Sequence, residues 1–423
     1  MTKISPLNVF TPAAEMEDVH RFAGRTDELQ ALARALESEG VQIVIYGNRG
    51  VGKSSLARLL DRMAQGDQEV IDRLEYAPGH VFDYLTVFFS CDDSIESIPK
   101  LLLRLLSDDA ALASWVPFKV TEIEGATSLS GKLDVKVLSI SGTGSDSIKH
   151  TAQELETDIV SVFNNAIDNL ARSGVAKEGI LIIVDEFDRI RDRTGLASLM
   201  KSLAPVGLTF ALVGVASTIQ ELITEHESVA RQLADGSVAV PPMTRGEMHE
   251  IFNRAEALIE TGQKFSPEAR EWIIDVARGH PFYIHLIGKH SLIKALENND
   301  KMISENLARE ALREIALKGS APIQESAYKT AIGHSYTREY ILKKFAEIDE
   351  DEIHTTDLYA KISDELGIEP GAVSVYVGQL GSDKYGRVLE KTRERYYRFR
   401  DSLFKAYAAA RPWQLDPADQ ESD

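Results

Sequence analysis

Val41-Gln-Ile-Val-Ile-Tyr46 leads directly into Gly47-Asn-Arg-Gly-Val-Gly-Lys53-Ser54, and a helix-forming stretch, Lys53–Met63, follows at once. The first segment carries β-branched and aromatic residues, the second is a glycine turn, and the third places apolar residues at helical spacing. The alternation continues downstream. Tyr84–Ser90, Ile180–Val184 and Leu208–Val213 read as buried strands, with helices expected over about Ala152–Ala171, Thr194–Ser202 and Thr218–Leu233. Strands alternating with helices predict an α/β fold: a mostly parallel sheet with helices on both faces.

The glycine turn fits G-x-x-x-x-G-K-[ST] in full, between a strand and a helix. Glycines let the backbone curl so that successive N–H groups face an anion, and the helix N-terminus adds a favourable dipole. Gly47, Asn48, Arg49, Gly50, Val51, Gly52, Lys53, Ser54 and Ser55 are therefore the expected phosphate cradle of an ATP or ADP site. Lys53 is expected to neutralise the β/γ-phosphates and the Ser54 hydroxyl to ligate Mg2+.

Ile180-Leu-Ile-Ile-Val-Asp185-Glu186-Phe-Asp188 delivers carboxylates at the C-terminal end of a buried strand, where open α/β sheets bind ligands. Asp185 is the expected Mg2+ partner through water, and Glu186 the residue that orients and activates the attacking water. Asp188 reads as structural or as a subunit contact.

The bulk composition sets limits. A chain of 423 residues has room for two to four domains. No apolar run approaches the roughly 18 to 20 residues that span a bilayer, so no membrane association is expected. The N-terminus lacks a signal-peptide core, and the single cysteine, Cys91, excludes an intramolecular disulfide framework and a cysteine-based zinc site. A cytosolic, cytoplasmic location is expected. The formal net charge of -19 does not suit indiscriminate coating of DNA, where phosphate neutralisation dominates affinity.

Boundaries follow from shifts in pattern. Residues 1–19 form a polar N-terminal arm, 20–243 the nucleotide-binding domain, 244–325 a helical lid, 326–412 a winged-helix domain and 413–423 an acidic tail. A β-rich insert at about 118–145 reads as a strand or half-hairpin added to the sheet, or as a surface loop. Strands are expected to stop after Pro242. Thr244-Arg-Gly-Glu247 is a capping-box pattern, and Ser266-Pro-Glu-Ala opens another helix. The tail Asp416–Asp423 has the composition of a disordered segment.

The order Arg21-Phe-Ala-Gly-Arg25, Gly47–Ser54, Asp185-Glu-Phe-Asp188 resembles AAA+ ATPases of the origin-recognition type and their STAND relatives. That resemblance implies ATP hydrolysis, slow if the chain works as a switch, with Phe22 and Arg25 bordering the adenine. It also implies a sensor-1 residue after the next strand, Ser217 or else Thr218. Many relatives carry Asn there, and a serine before a helix is also an ordinary N-cap. An arginine finger is expected from Arg231, or else Arg245, acting across a subunit interface. Ala277-Arg-Gly279-His280-Pro281 looks like the G-x-P motif of STAND ATPases, which sets Pro281 against the nucleotide. The sensor-2 arginine of origin-recognition ATPases is replaced by Phe282.

The expected third helix of the winged-helix domain, Gly371–Leu380, contains no Lys or Arg, while Lys391, Arg393, Arg395, Arg398 and Arg400 in the wing oppose only Glu394. Two functions follow. One is an ATP-driven switch, self-associating or gripping a partner protein. The other is a DNA-binding ATPase of initiator, loader or transposition-helper type, with DNA on the wing.

Overall fold

The computed structural model describes residues 5–75, 78–108, 112, 138–139, 149–150, 152–175, 177–223, 229–318, 322–348, 350 and 352–416. The central sheet contains β1 (Ile43–Gly47), β2 (Leu85–Ser90), β3 (Ile180–Asp185), β4 (Leu208–Val215) and β5 (Ser237–Ala239). All five are parallel, in the order β2-β3-β4-β1-β5. Every residue of β3 is buried, as a strand covered on both faces requires. Burying each of its aliphatic side chains contributes about 1.5–3 kcal/mol.

One face of the sheet is covered by α1 (Thr26–Glu37) and α2 (Lys53–Ala64). Leu56, Leu59, Leu60 and Met63 of α2 are fully buried and form its inward stripe. The other face is covered by α3 (Ile98–Ser107), α4 (Ala152–Arg172) and α5 (Leu196–Leu203). Of the helix expected over Thr218–Leu233, the described residues show two four-residue helices, Ile219–Leu222 and Ala230–Leu233, while 224–228 lie outside the described residues. Ile223 breaks the first by turning extended, which buries Leu222 and Ile223 together.

The helical region is built from α6 (Arg245–Ala257), α7 (Pro267–Ala277), α8 (Pro281–Asn298) and α9 (Glu305–Lys318). Strands do not stop altogether: β6 (Lys264–Phe265) and β7 (Met302–Ile303) form a small parallel pair. Thr244 and Glu247 make the full reciprocal capping box, and the Ser266 hydroxyl accepts from the Ala269 N–H.

The C-terminal region holds α10 (Pro322–Ile332), α11 (Tyr336–Ala346), α12 (Thr355–Leu366) and α13 (Pro370–Leu380). A three-stranded antiparallel sheet follows from β8 (Ile353–His354), β9 (Leu389–Arg393) and β10 (Tyr396–Phe399). A last helix, α14 (Ser402–Ala410), packs back on α11 and is not evident in the sequence pattern. Helical and C-terminal regions share one apolar core, to which Met248 and Ile284 contribute from the first and Phe345 and Tyr407 from the second.

Of the expected insert at about 118–145 only Leu138–Ser139 is described. It pairs antiparallel with Lys149–His150, apart from the five-stranded sheet. The stretch 417–423 of the tail lies outside the described residues. The arm that reads as polar carries a buried Val9 and Phe10, both in the shared core of the helical and C-terminal regions. Among the described residues no helix is long and apolar enough to cross a membrane.

Candidate functional site

β1 ends at Gly47, where the chain must turn within contact of the next strand. The Gly47 φ is 155°, and a Cβ there would sit 2.4 Å from the Val240 carbonyl oxygen. Only glycine fits. Gly52 caps α2 in the left-handed region and delivers Lys53 and Ser54 to the first turn of that helix.

This turn forms the floor of a cavity of about 690 Å³. Arg49, Gly50, Val51, Gly52, Lys53, Ser54 and Ser55 line it, together with Phe22 and Arg25, Asp185 and Glu186, and Pro281 of the lid. Gly47 and Asn48 contribute through their carbonyls, which accept from Lys53 Nζ at 3.0 and 2.8 Å. Ser217 and Arg231 are exposed and lie outside the cavity lining, where β4 contributes Gly214 and Val215.

Lys53 and Asp185 are both buried at the end of the sheet, 8% and 4% exposed. Burial lowers the Lys53 ammonium to about 8, with Asp188 and Asp185 partly opposing the shift. Burial raises the Asp185 carboxyl above its ordinary range against hydrogen bonds from Ser54 and the Glu186 N–H. Burial thus outweighs the neighbouring charges at both groups, and a phosphate bearing Mg2+ would set an anion beside the lysine and a cation beside the aspartate. Ser54 and Asp185 touch each other, and this sparse oxygen set suits an ion that keeps most of its waters and phosphate ligands.

Glu186 sits in the left-handed region at φ 53°, and Arg189, three residues on, pairs with its carboxylate. Arg189 also reaches Asp93 at 2.7 Å. Asp188 Oδ1 accepts the Val215 N–H at 2.8 Å, tying the end of β3 to the end of β4. Cys91 donates its N–H to the Asp185 carbonyl, and burial pushes its thiol up to about 12, which keeps it unreactive.

Arg25 is 4% exposed and braces the P-loop: Nη2 donates to the Val51 carbonyl at 2.8 Å and Nη1 pairs with Glu28 at 2.9 Å. Its N–H donates to Glu247 Oε1 of α6, and the Gly24 N–H donates to Glu250. On the lid side, the Met243 N–H donates to the Gly279 carbonyl, and Pro281 lies at van der Waals range of where a Gly52 Cβ would be.

Residues Thr11–Met16, Arg21, Asp188, Arg189 and His285 also line the cavity, and sequence reasoning gave none of them a place there. The one signal for the arm was an apolar pair, Val9-Phe10, inside a polar stretch. In the C-terminal region, Val373, Val377 and Leu380 of α13 are buried, leaving Gly371, Ser374, Val375 and Gly378 exposed without charge. Arg393 pairs with Glu352 at 3.0 Å, and Arg398 and Arg400 both pair with Glu390.

A five-stranded parallel sheet, a complete phosphate turn and two carboxylates at the end of the adjoining strand define a P-loop nucleotide-binding protein. Residues 21–211 match the family model described as AAA ATPase domain, a stretch that takes in both the phosphate turn and the β3 carboxylates. No curated protein matches the chain. Similar solved structures include the Aeropyrum pernix ORC2 protein in ADPNP–ADP complexes, 17% identical, covering 91% of this chain and 93% of that one with a TM-score of 0.45. Cdc6p from Pyrobaculum aerophilum is 14% identical, with coverage of 95% and 96% and a TM-score of 0.46. The Aeropyrum pernix ORC1 protein in complex with DNA is 15% identical, with coverage of 96% and 97% and a TM-score of 0.46.

Proposed function

We propose that this chain is a slow ATPase that works as a nucleotide switch, its nucleotide state setting the lid and C-terminal domain and thereby self-association or the grip on a partner protein. One observation carries the reading. The cavity is walled jointly by the P-loop, the β3 carboxylates and lid residues Pro281, Phe282 and His285. A ligand that touches both bodies shifts their relative position by whatever it gains in one arrangement over the other.

In this reading the P-loop N–H groups and Lys53 bind the phosphates, Lys53 leaving the Gly47 and Asn48 carbonyls to do so. Ser54 and Asp185 hold Mg2+, which supplies charge neutralisation at the phosphates when bound. Glu186 orients the attacking water once Arg189 releases its carboxylate, and that prior pairing suits slow turnover. Phe22 and Arg25 border the base, and Pro281 reads nucleotide from the lid. Ser217 is the sensor at the end of β4. Arg231, outside its own cavity, serves a neighbouring subunit's site. The lid motif Gly279-His280-Pro281 looks like the G-x-P motif of STAND ATPases and supports that kinship, and the C-terminal region serves as a winged helix used for protein contacts. Three of its wing arginines are engaged by Glu352 and Glu390, and the exposed α13 face carries no charge, which supports that use.

A second reading is a DNA-directed ATPase. It is favoured by Lys391 and Arg395, exposed on the β9–β10 hairpin and making no ion pair among the described residues. Light scattering after size exclusion separates the two, run without nucleotide, with ADP and with ATP, each with and without duplex DNA at physiological salt. Assembly driven by ATP alone supports the switch; assembly that needs DNA supports the second reading.

A further inference from the structure

The N-terminal arm is fastened at both ends to the two bodies that enclose the cavity. At one end Phe10 is fully buried in the lid core, packed edge-on against Phe265 at 5.7 Å, His285 at 6.0 Å and Phe252 at 6.2 Å. The seat for this ring is cut by Gly288 of α8: a Cβ there would lie 2.8 Å from the Phe10 ring. Arg21 secures the same end, its Nη2 donating to the carbonyls of Asn8 at 2.7 Å and Val9 at 2.9 Å and to Thr11 Oγ1 at 3.3 Å.

At the other end the arm grips α2, the helix that begins in the P-loop. The Met16 N–H donates to Ser55 Oγ at 2.9 Å, and Arg58 pairs with Glu15 at 2.7 Å and Glu17 at 3.5 Å. Between the fastenings, Thr11, Pro12, Ala13 and Ala14 form part of the cavity wall. Lid and α2 are therefore joined by a short segment of chain, whose reach limits how far they separate while both fastenings hold.

We propose that residues 9–17 are a strap that sets how long nucleotide stays bound, with Phe10 in its Gly288 seat as the clasp. The proposal rests on the nucleotide reading of the cavity and adds to it a residence-time control outside the phosphate machinery. Contacts to both lid and P-loop are lost most readily when those bodies separate, so the clasp acts on departure more than on arrival. By reciprocity, a bound nucleotide holds the strap in place.

The test uses N-methylanthraniloyl-ADP and stopped-flow displacement by excess ADP, on the full chain and two variants. Phe10→Ala empties the seat. Gly288→Ala fills it from the helix side and, as a glycine-to-alanine change within a helix, favours α8 itself, so it retains a folded lid should Phe10→Ala not fold. The expected result is a dissociation rate raised about tenfold in both, with association changed far less, and faster proteolysis of the arm in the nucleotide-bound state. Dissociation within about twofold of wild type in a folded Gly288→Ala protein overturns the strap and leaves the nucleotide site standing. Failure of the wild-type chain to bind the probe overturns both.

Discussion

Arg25 Nη2 donates to the carbonyl of Val51 at 2.8 Å, so a guanidinium that precedes the first helix braces the phosphate turn. The same residue's N–H is taken by Glu247, the third residue of the lid's first helix and the closing half of its capping box. One residue thus joins the shape of the P-loop to the seating of the lid.

Arg25→Ala leaves the buried Val51 carbonyl without its donor and Glu28 without its partner. The loss of stability should be about 1–3 kcal/mol, since an unmet buried polar group costs its full desolvation. Nucleotide affinity should fall about tenfold or more, measurable by calorimetry. Arg25→Lys should not restore it, because an ammonium cannot bridge Val51 and Glu28 as a planar fork does.

Lys53 makes nucleotide affinity depend on pH in the alkaline range. Its ammonium is lowered to about 8 by burial, whereas bound phosphates favour the charged form. Above about pH 8 the free protein must therefore take up a proton on binding, and the affinity for ADP should fall by up to about tenfold per pH unit. Below that pH Lys53 is charged in both states and the dependence should vanish. Calorimetry in buffers of different ionisation enthalpy at pH 9 should register the proton.

Arg231 is exposed and does not line its own cavity. As a finger in trans it should cost turnover only in the assembled protein. Arg231→Ala should bind ATP as wild type does and lose on the order of 10³-fold in steady-state hydrolysis. Mixing Arg231→Ala with a Lys53→Ala chain should recover part of that activity, because one subunit would then supply the finger and the other the site.

The pair Arg411–Glu325 closes the C-terminal region. Both residues are 6% exposed, joined at 2.8 Å, with the Tyr407 hydroxyl donating to the same carboxylate. Arg411→Ala leaves the buried carboxylate with only the exposed Lys329, at 3.2 Å, as its cation and should cost about 3 kcal/mol in chemical denaturation. The double change Arg411→Met with Glu325→Leu should cost markedly less.

Much of this was legible in the residue order. The β1–P-loop–α2 unit, the β3 carboxylates and the lid helices follow from local period, glycine placement and capping chemistry, and the AAA ATPase match spans the first two. What stayed hidden depends on distant partners. Phe10 finds its seat only because α8, more than 270 residues on, offers Gly288. The arm's place in the cavity wall follows from Arg58 and Ser55 on α2. Arg189 beside Glu186 is a neighbour in sequence, yet only the left-handed turn at Glu186 brings the two side chains together. The wing's excess positive charge, conspicuous in the sequence, is partly cancelled by Glu352 and Glu390.

The most direct measurement is the molar mass of wild type and Glu186→Gln by size exclusion with light scattering, without nucleotide, with ADP and with ATP. The switch predicts larger assemblies or a more compact chain with ATP, held in place by Glu186→Gln and indifferent to DNA. A mass and radius unchanged by any nucleotide, in a protein shown to bind it, would contradict the account.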